Sequence, residues 1–444
     1  LTYQYVPHPH TLYRGITKLP PAHYAVYERG QLEITRYWQP PFQEEVRRPT
    51  GELVDELRET LTSAVRMRLV SDVPLGAFLS GGVDSSLITA LAQNASSRPL
   101  KTFSISFPIP EYDESLHARR VAEWCGTEHQ EFRVEPDAVS LLPDLVHYYD
   151  EPFADSSAIP TYYLAQKTRQ RVTVALSGDG GDELFAGYPR YRAVWLAQQF
   201  DRLPRPVRDA IAADVWQRLP ASPRQKSPLR RFKKLTGSLR KSPARRYLEW
   251  IAIFGEARRA ALYSDDFIAK LPDADPLRFL ADALRRSSNR DAVTRTSLAD
   301  LVTYLPCDLM TKVDIATMAH GLECRQPLLD HRLIEFAARL PIRTKFRRLR
   351  GKRILRKAFG DLLPDSIWNH PKMGFGVPLD HWFRGPLAPQ AREVLLDPAT
   401  LDRGYFRRET VENLVEEHLS GQFDHAYRLW ALLMLEFWHR QGSG

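Results

Sequence analysis

Cysteine is scarce, with three residues in a chain of 444, at positions 125, 307 and 324. Odd in number and far apart, Cys125, Cys307 and Cys324 form neither a disulfide framework nor a C-x-x-C metal pair. A reducing, cytoplasmic setting suits them. Long apolar runs are also missing; none approaches the roughly 20 residues that a membrane span requires. The chain starts at Leu1 without a charged stretch leading into an apolar one, so no signal peptide is read, and the sequence reads as a fragment without its natural beginning. The thirteen histidines form no spaced metal motif. No glycine loop ends in G-K-[ST], which removes the usual apparatus of γ-phosphoryl transfer.

What is present is ordinary for a globular protein: 43% hydrophobic and 26% charged residues, with room for two or three domains. The net charge of +8 concentrates in residues 224–246 and 343–357. Neither stretch carries the interleaved aromatics of a base-stacking platform. They are read as solvated helix faces and phosphate-attracting charge near a nucleotide site, with no nucleic-acid and no membrane partner expected. A tRNA-modifying ligase stays open, testable by salt-dependent RNA binding.

Residues 1–40 read as short extended pieces broken by proline, with a hairpin turning at Glu28 to Gln31. The pair Pro40-Pro41 and the following QEEVRRP mark a linker. A helix is read from Thr50 to Val70, because Leu53, Leu57, Leu61, Val65 and Leu69 recur on one face. Then strands at VPLGAFL, KTFSISF (101–107), EHQEFRV (128–134) and RVTVALS (171–177) alternate with helices at LITALAQ, 114–125, 138–149 and 160–170. That alternation predicts an α/β fold with a parallel sheet. From Tyr188 onward almost only helical periodicity remains, a helical C-terminal half packed on the sheet.

The first chemical motif is LSGGVDSS at 79–86. An apolar strand gives way to Ser80, Gly81 and Gly82, and Asp84, Ser85 and Ser86 open a helix. Close backbone approach, outward amides and the helix dipole suit a phosphate or pyrophosphate, and Asp84 can hold Mg²⁺. The plainer alternative is a strand-to-helix turn with Asp84 as a cap. The second is ALSGDGGDELFAGY at 175–188, where Ser177, Gly178, Asp179, Gly180, Gly181, Asp182 and Glu183 again follow a strand. Ligands bind at the carboxyl edge of a parallel sheet, so the two loops are expected to face each other across the nucleotide. Asp84 and Asp182 are then metal candidates.

LSGGVDSS is similar to the pyrophosphate loop of the ATP-pyrophosphatase superfamily. With TFSISF, DEPFADSSAIPT, LSGDGGDELFAGY, DLMTKVDIATMAHGLECRQPLLDHRLIEFAARLP and HPKMGFGVPL in order, nearly the whole chain resembles the synthetase domain of glutamine-dependent asparagine synthetases and the related β-lactam synthetases. Residues 1–40 look like the end of that family's glutaminase domain, leaving 41–444 as the synthetase domain. The resemblance implies that Leu79, Ile105, Ser177 and Gly178 border the adenine nucleotide and that Ser80, Gly81, Gly82, Asp84 and Ser85 wrap its phosphates. It matches Asp84 and Asp182 to metal-binding aspartates and Lys372 to a lysine at the α-phosphate. Glu323 would face the active site with Arg325 as partner, a buried structural pair being the alternative. Asp330 and His331 are read as capping the next helix.

Asp179 stands where the family carries glutamate or tyrosine. Aspartate is one methylene shorter, a change in reach of about 1 to 1.5 Å, so the acceptor or its pose is expected to differ. The implied reaction has a carboxylate, by resemblance that of aspartate, attack MgATP to give an acyl-adenylate and pyrophosphate, after which ammonia displaces AMP. The implied cofactors are ATP and Mg²⁺, and the partners are small molecules, with a homodimer left open. The rivals are an amide-forming enzyme for another carboxylate, such as a sugar acid or peptide, and a nucleotide-binding module without turnover.

Overall fold

The computed structural model describes residues 1–134, 138–213, 215–216, 228–272, 275–370, 374 and 376–442. The N-terminal hairpin forms as its turn residues dictate, β1 His23–Glu28 pairing antiparallel with β2 Gln31–Arg36 in register Glu28 to Gln31. Both of its faces carry exposed apolar side chains, among them Tyr24, Val26, Leu32 and Ile34. Residues 1–8 behave differently. Tyr5 belongs to the main apolar core, and the carbonyls of Leu1 and Thr2 accept from Phe254 and Ile253.

Helix α1, Thr50–Arg68, buries Leu53, Leu57, Leu61 and Val65, each worth about 1.5–3 kcal/mol when removed from water. Leu69, expected on the same stripe, falls just past the helix as its C-cap. Strands β3 Leu75–Phe78, β4 Lys101–Ser106, β5 Glu128–Arg133 and β6 Val174–Leu176 follow, with α2 Val83–Asn94, α3 Ser115–Cys125, α4 Ala138–Tyr149 and α5 Ala158–Arg169 between them. A fifth strand, β7 Glu323–Arg325, lies inside the half read as helical. Three residues are too few to show alternation in sequence.

The sheet is parallel throughout, in the order β5-β4-β3-β6-β7. Leu87, Ile88 and Leu91 of α2 share one core with α1 and with the helix His331–Arg339; α4 and α5 share another with the C-terminal helix Ala426–Gln441. Because parallel strands point one way, the ends of β3, β4 and β6 deliver their loops to one edge. Among the described residues, no helix is long and apolar enough to cross a membrane.

Candidate nucleotide and acceptor site

At the end of β3 the chain enters the first loop. Gly81 adopts φ +76°, and a Cβ there would lie 2.5 Å from His117 Cβ, so both the turn and the packing require glycine. The Ser80 and Ser85 hydroxyls are 2.9 Å apart, and Ser85 Oγ donates to the Gly82 carbonyl at 3.2 Å. These bonds wind the loop so that α2 starts at Val83 with Gly82 as an N-cap that offers no side chain. Its first-turn amides therefore keep the positive end of the helix for an anion. Asp84 does not cap; it sits in the first turn and pairs elsewhere.

The second loop leaves β6, where the Ser177 amide donates to the Arg325 carbonyl at 2.9 Å and Ser177 Oγ donates to Asp179 Oδ2 at 2.5 Å. A Cβ on Gly178 would stand 2.5 Å from the Ser85 nitrogen, and one on Gly181 would stand 2.4 Å from Asp84 Cγ. The loops thus do not face each other across a gap. Their strands, β3 and β6, are neighbours, and the second loop rests directly on the start of α2.

A residue from neither loop joins them. Lys352 Nζ lies 2.5 Å from Asp84 Oδ2 and 2.6 Å from Asp182 Oδ1, all three side chains being mostly buried. Burial alone would discharge the amine, but the Asp182 and Asp84 carboxylates outweigh it and hold its pKa above the ordinary lysine value. Its backbone is fixed at φ +54° with its amide on the Phe185 carbonyl. Sequence reasoning noted the stretch 343–357 only as general phosphate-attracting charge, because nothing in a run of arginines marks which cation will be buried.

The loops open on a cavity of about 1750 Å³ lined by Leu79, Ser80, Gly82, Asp84, Ser85, Ile105, Ser177, Gly178, Asp179 and Asp182. Gly81 supports this wall from behind. The basic stretch supplies Arg347, Arg348, Arg350, Arg353 and Arg356 to another part of the rim, so the attraction expected of it has a concrete place. Of the described residues, no group of three or more His, Cys, Asp and Glu side chains gathers as a metal site. Asp84 and Asp182 nonetheless offer two hard oxygen donors at the phosphate loops. That is the protein's usual share of a Mg²⁺ shell completed by phosphates and water.

The cavity is also lined by Gln4, Asp155, Ser157 and Lys312, which belong to a polar network. Lys312 Nζ donates to Asp155 Oδ2 at 3.0 Å and Ser157 Oγ at 2.8 Å, with Lys312 and Asp155 only 6% and 8% exposed. Gln4 Nε2 donates to Asp308 Oδ2 at 2.7 Å, and Asp308 sits in a π-helical turn, Leu305–Met310, a geometry that recurs at functional sites. Burial first, and the Asp155 charge next, push the Asp308 carboxyl well above the usual range. Asp155 goes the other way; Lys312 and the Ser157 bonds overcome its burial and keep it ionised. The motifs DEPFADSSAIPT and DLMTKVDIATMAHGL, already singled out, contain Asp155, Ser157, Asp308 and Lys312; their burial was the missing signal.

One expected residue, Glu323, is not brought to this site. Glu323 heads β7 opposite Val174, the first residue of β6, on the amino edge of the sheet. Its side chain is 57% exposed and accepts from Arg325 Nε at 2.6 Å, so the pair is neither at the cavity nor buried. Lys372 lies outside the described residues. Asp330 does cap the helix His331–Arg339, accepting from the Arg332 amide, and also binds Arg68.

Residues 56–440 match the family model described as asparagine synthase. The chain belongs to the asparagine synthase family. It is 36% identical over 445 residues to a protein of Mycobacterium tuberculosis named putative asparagine synthetase [glutamine-hydrolyzing], the match covering 98% of this chain and 66% of that protein. Against asparagine synthetase [glutamine-hydrolyzing] 1 of Bacillus subtilis the identity is 31%, over 99% of this chain and 67% of the relative. The chain is also similar to a protein with another kind of name: amidase chry2 of Gibberella zeae is 24% identical over 93% of this chain and 66% of its own length. The chain spans about two-thirds of the length of the curated relatives it matches.

Proposed function

We propose that the chain is an ATP-dependent ligase that adenylates a substrate carboxylate and passes the acyl group to ammonia, with aspartate the carboxylate favoured by the names of its relatives. The observation that carries this reading is Lys352 held between Asp84 and Asp182, one carboxylate from each glycine loop. A single cation and two hard oxygen donors are thereby set beside an open helix N-terminus. Such a cluster binds a pyrophosphate group and stabilises the charge it carries on leaving.

In this reading Ser80, Gly82 and Ser85 cradle the β- and γ-phosphates while Leu79 and Ile105 flank the adenosine. Asp84 and Asp182 would hold Mg²⁺, which when bound supplies further positive charge to the leaving pyrophosphate. A carboxylate oxygen attacks the α-phosphorus as the bond to the bridging oxygen breaks, giving acyl-AMP and pyrophosphate. Ammonia then attacks the acyl carbon, AMP leaves with the carbon–oxygen electron pair, and the nitrogen sheds one proton. Asp179, already accepting from Ser177, lies on the cavity wall and is assigned to receive it. Lys372 is assigned the α-phosphate on the match of its motif alone.

The Lys312, Asp155 and Ser157 network forms the acceptor end. A lysine ammonium has three protons, and two are committed to Asp155 and Ser157. Residues 1–40 fit the tail of a glutaminase domain, whose body would supply ammonia and cover the apolar hairpin. The assay is direct: chain, ATP, Mg²⁺, aspartate and ammonium should yield AMP and pyrophosphate, and ADP with phosphate would sink the mechanism.

A second reading keeps the chemistry and changes the carboxylate. The cavity, at about 1750 Å³, takes nucleotide and carboxylate together, and Asp179 is shorter than the family's glutamate, which leaves more room beside it. A larger acceptor such as a sugar acid or peptide fits that space. Screening acceptors for pyrophosphate release separates the two.

A further inference from the structure

Between Phe346 and the helix Arg353–Phe359 the chain reads RRLRGK, and it folds there into a turn that its residues do not favour. The Arg347 amide donates to the Arg350 carbonyl at 3.0 Å and the Arg350 amide to the Arg347 carbonyl at 3.1 Å, while Arg348 and Leu349 take φ +50° and +61°. This is a type I′ turn, commonly filled by Asn-Gly because both central residues are left-handed. Anchors on its carboxyl side hold it. Leu349 packs against the core that contains Ala186 and Tyr191. A Cβ on Gly351 would run into the Ala186 carbonyl oxygen. The Lys352 amide, itself on a left-handed residue, donates to the Phe185 carbonyl at 2.8 Å. Phe185 and Ala186 end the short helix that starts at Gly181, so the turn is fastened to the second glycine loop.

What the strained turn presents is charge. Arg347, Arg348 and Arg350 are exposed and line the same cavity as Ser80, Asp84 and Asp182, and their side chains make no hydrogen bond or ion pair among the described residues. Their neighbours differ: Arg353 is committed to the Arg343 carbonyl and Arg356 to Asn369 and Asp365. At the cradle, Asp84 and Asp182 set two carboxylates against the one ammonium of Lys352, which is little positive charge for a triphosphate. We propose that the Arg347–Arg350 turn is an outer phosphate subsite, which takes the terminal phosphate of ATP and retains pyrophosphate at the rim once its bond to AMP has broken. A guanidinium offers its N–H groups in a fixed fork that matches phosphate oxygens, and a turn already anchored has little freedom to lose when the anion arrives. Attachment to the loop of Asp182 puts the turn at the phosphate end, away from the Lys312 and Asp155 network. The inference rests on the adenylation reading for which part of ATP leaves, but anion binding at the turn stands on its charge and geometry.

The test titrates the full chain, in the presence of Mg²⁺, with inorganic pyrophosphate and separately with AMP. Arg348→Asn removes one charge with a residue that suits the left-handed position. A triple variant, Arg347→Gln with Arg348→Asn and Arg350→Gln, removes the charge of the whole turn. Pyrophosphate affinity should fall about three- to tenfold in Arg348→Asn and on the order of 10- to 100-fold in the triple variant, the scale of charged hydrogen bonds open to solvent. AMP affinity should stay within about twofold in both. Added salt should weaken pyrophosphate binding less in the triple variant than in wild type. The thermal midpoint of Arg348→Asn should equal or exceed that of wild type, which separates a lost subsite from a damaged fold. Unchanged pyrophosphate affinity in the triple variant overturns the subsite, and so does an equal loss of affinity for AMP or an absence of pyrophosphate binding in wild type. ADP and phosphate as the products of wild-type turnover would sink adenylation instead; the titrations need no turnover, so they still decide whether the turn binds pyrophosphate.

Discussion

Lys352 and Asp84 stand 268 residues apart in the chain, and their Nζ and Oδ2 atoms are 2.5 Å apart. The same ammonium reaches Asp182 at 2.6 Å, so removing it leaves two carboxylates facing each other with little access to water. Breaking a buried pair this way costs about 3–5 kcal/mol. Lys352→Met should lower the thermal midpoint clearly and cut pyrophosphate release by on the order of 100-fold. Millimolar Mg²⁺ should raise the midpoint of the variant more than that of wild type, since the ion takes the place of the lost cation. Equal shifts would show that Asp84 and Asp182 do not bind the metal together.

Gly178 offers a sharper probe of nucleotide binding, because a methyl there meets the Ser85 nitrogen at 2.5 Å. Gly178→Ala must push the second loop off α2, at a packing cost of about 1–3 kcal/mol. An equilibrium titration with a non-hydrolysable ATP analogue should show affinity weakened by roughly tenfold or more. Gly51, in α1 with open space around it, is the control. Gly51→Ala should stabilise by about 0.5–1 kcal/mol and leave binding unchanged.

Glu183 gives a pH signature. Burial first, and the adjacent Asp182 charge second, push its carboxyl from the ordinary 4.5 up to about 7, while the Tyr188 hydroxyl donates to it at 2.6 Å. A carboxyl raised on folding favours the folded state most when it is protonated in both states. Its contribution is therefore complete below pH 4.5 and is lost as pH rises through 7. Urea unfolding of Glu183→Gln, compared with wild type at pH 5 and pH 8, should show that the variant loses less stability across that interval. Parallel losses would place the titration elsewhere.

Glu323 is expected to be dispensable. It lies on the amino edge of β7, exposed and paired with Arg325, and surface pairs contribute about 0–1 kcal/mol. Glu323→Ala should keep kcat within about twofold and the thermal midpoint near that of wild type. A large loss of kcat with intact stability would return Glu323 to the catalytic set that the family resemblance implied.

The difference between Glu323 and Ser80 shows what the sequence could convey. The loops at Ser80 and Ser177 announce themselves through local chemistry, a strand ending in glycines and a helix opening behind it, and local chemistry survives folding. The hairpin, the first four strands and α1 were legible for the same reason. Strand β7 was not, being three residues long with charged ends. Lys352, Lys312, Asp155 and Asp308 were invisible as site residues because burial of a charge is a tertiary fact. A lysine beside a string of arginines reads as surface until Asp84 and Asp182 arrive from elsewhere. Only the parallel register with Val174 reveals which sheet edge Glu323 occupies.

The bond between Gln4 and Asp308 spans 304 positions, and Lys352 reaches back almost as far. Closing loops of that length is slow relative to local helix and hairpin formation, since chain entropy is spent before the contact repays it. A chain emerging from the ribosome would expose β3 to β6 and both glycine loops before Asp308, β7 or Lys352 had been made. In that order the phosphate cradle precedes the cation that pairs with its two aspartates.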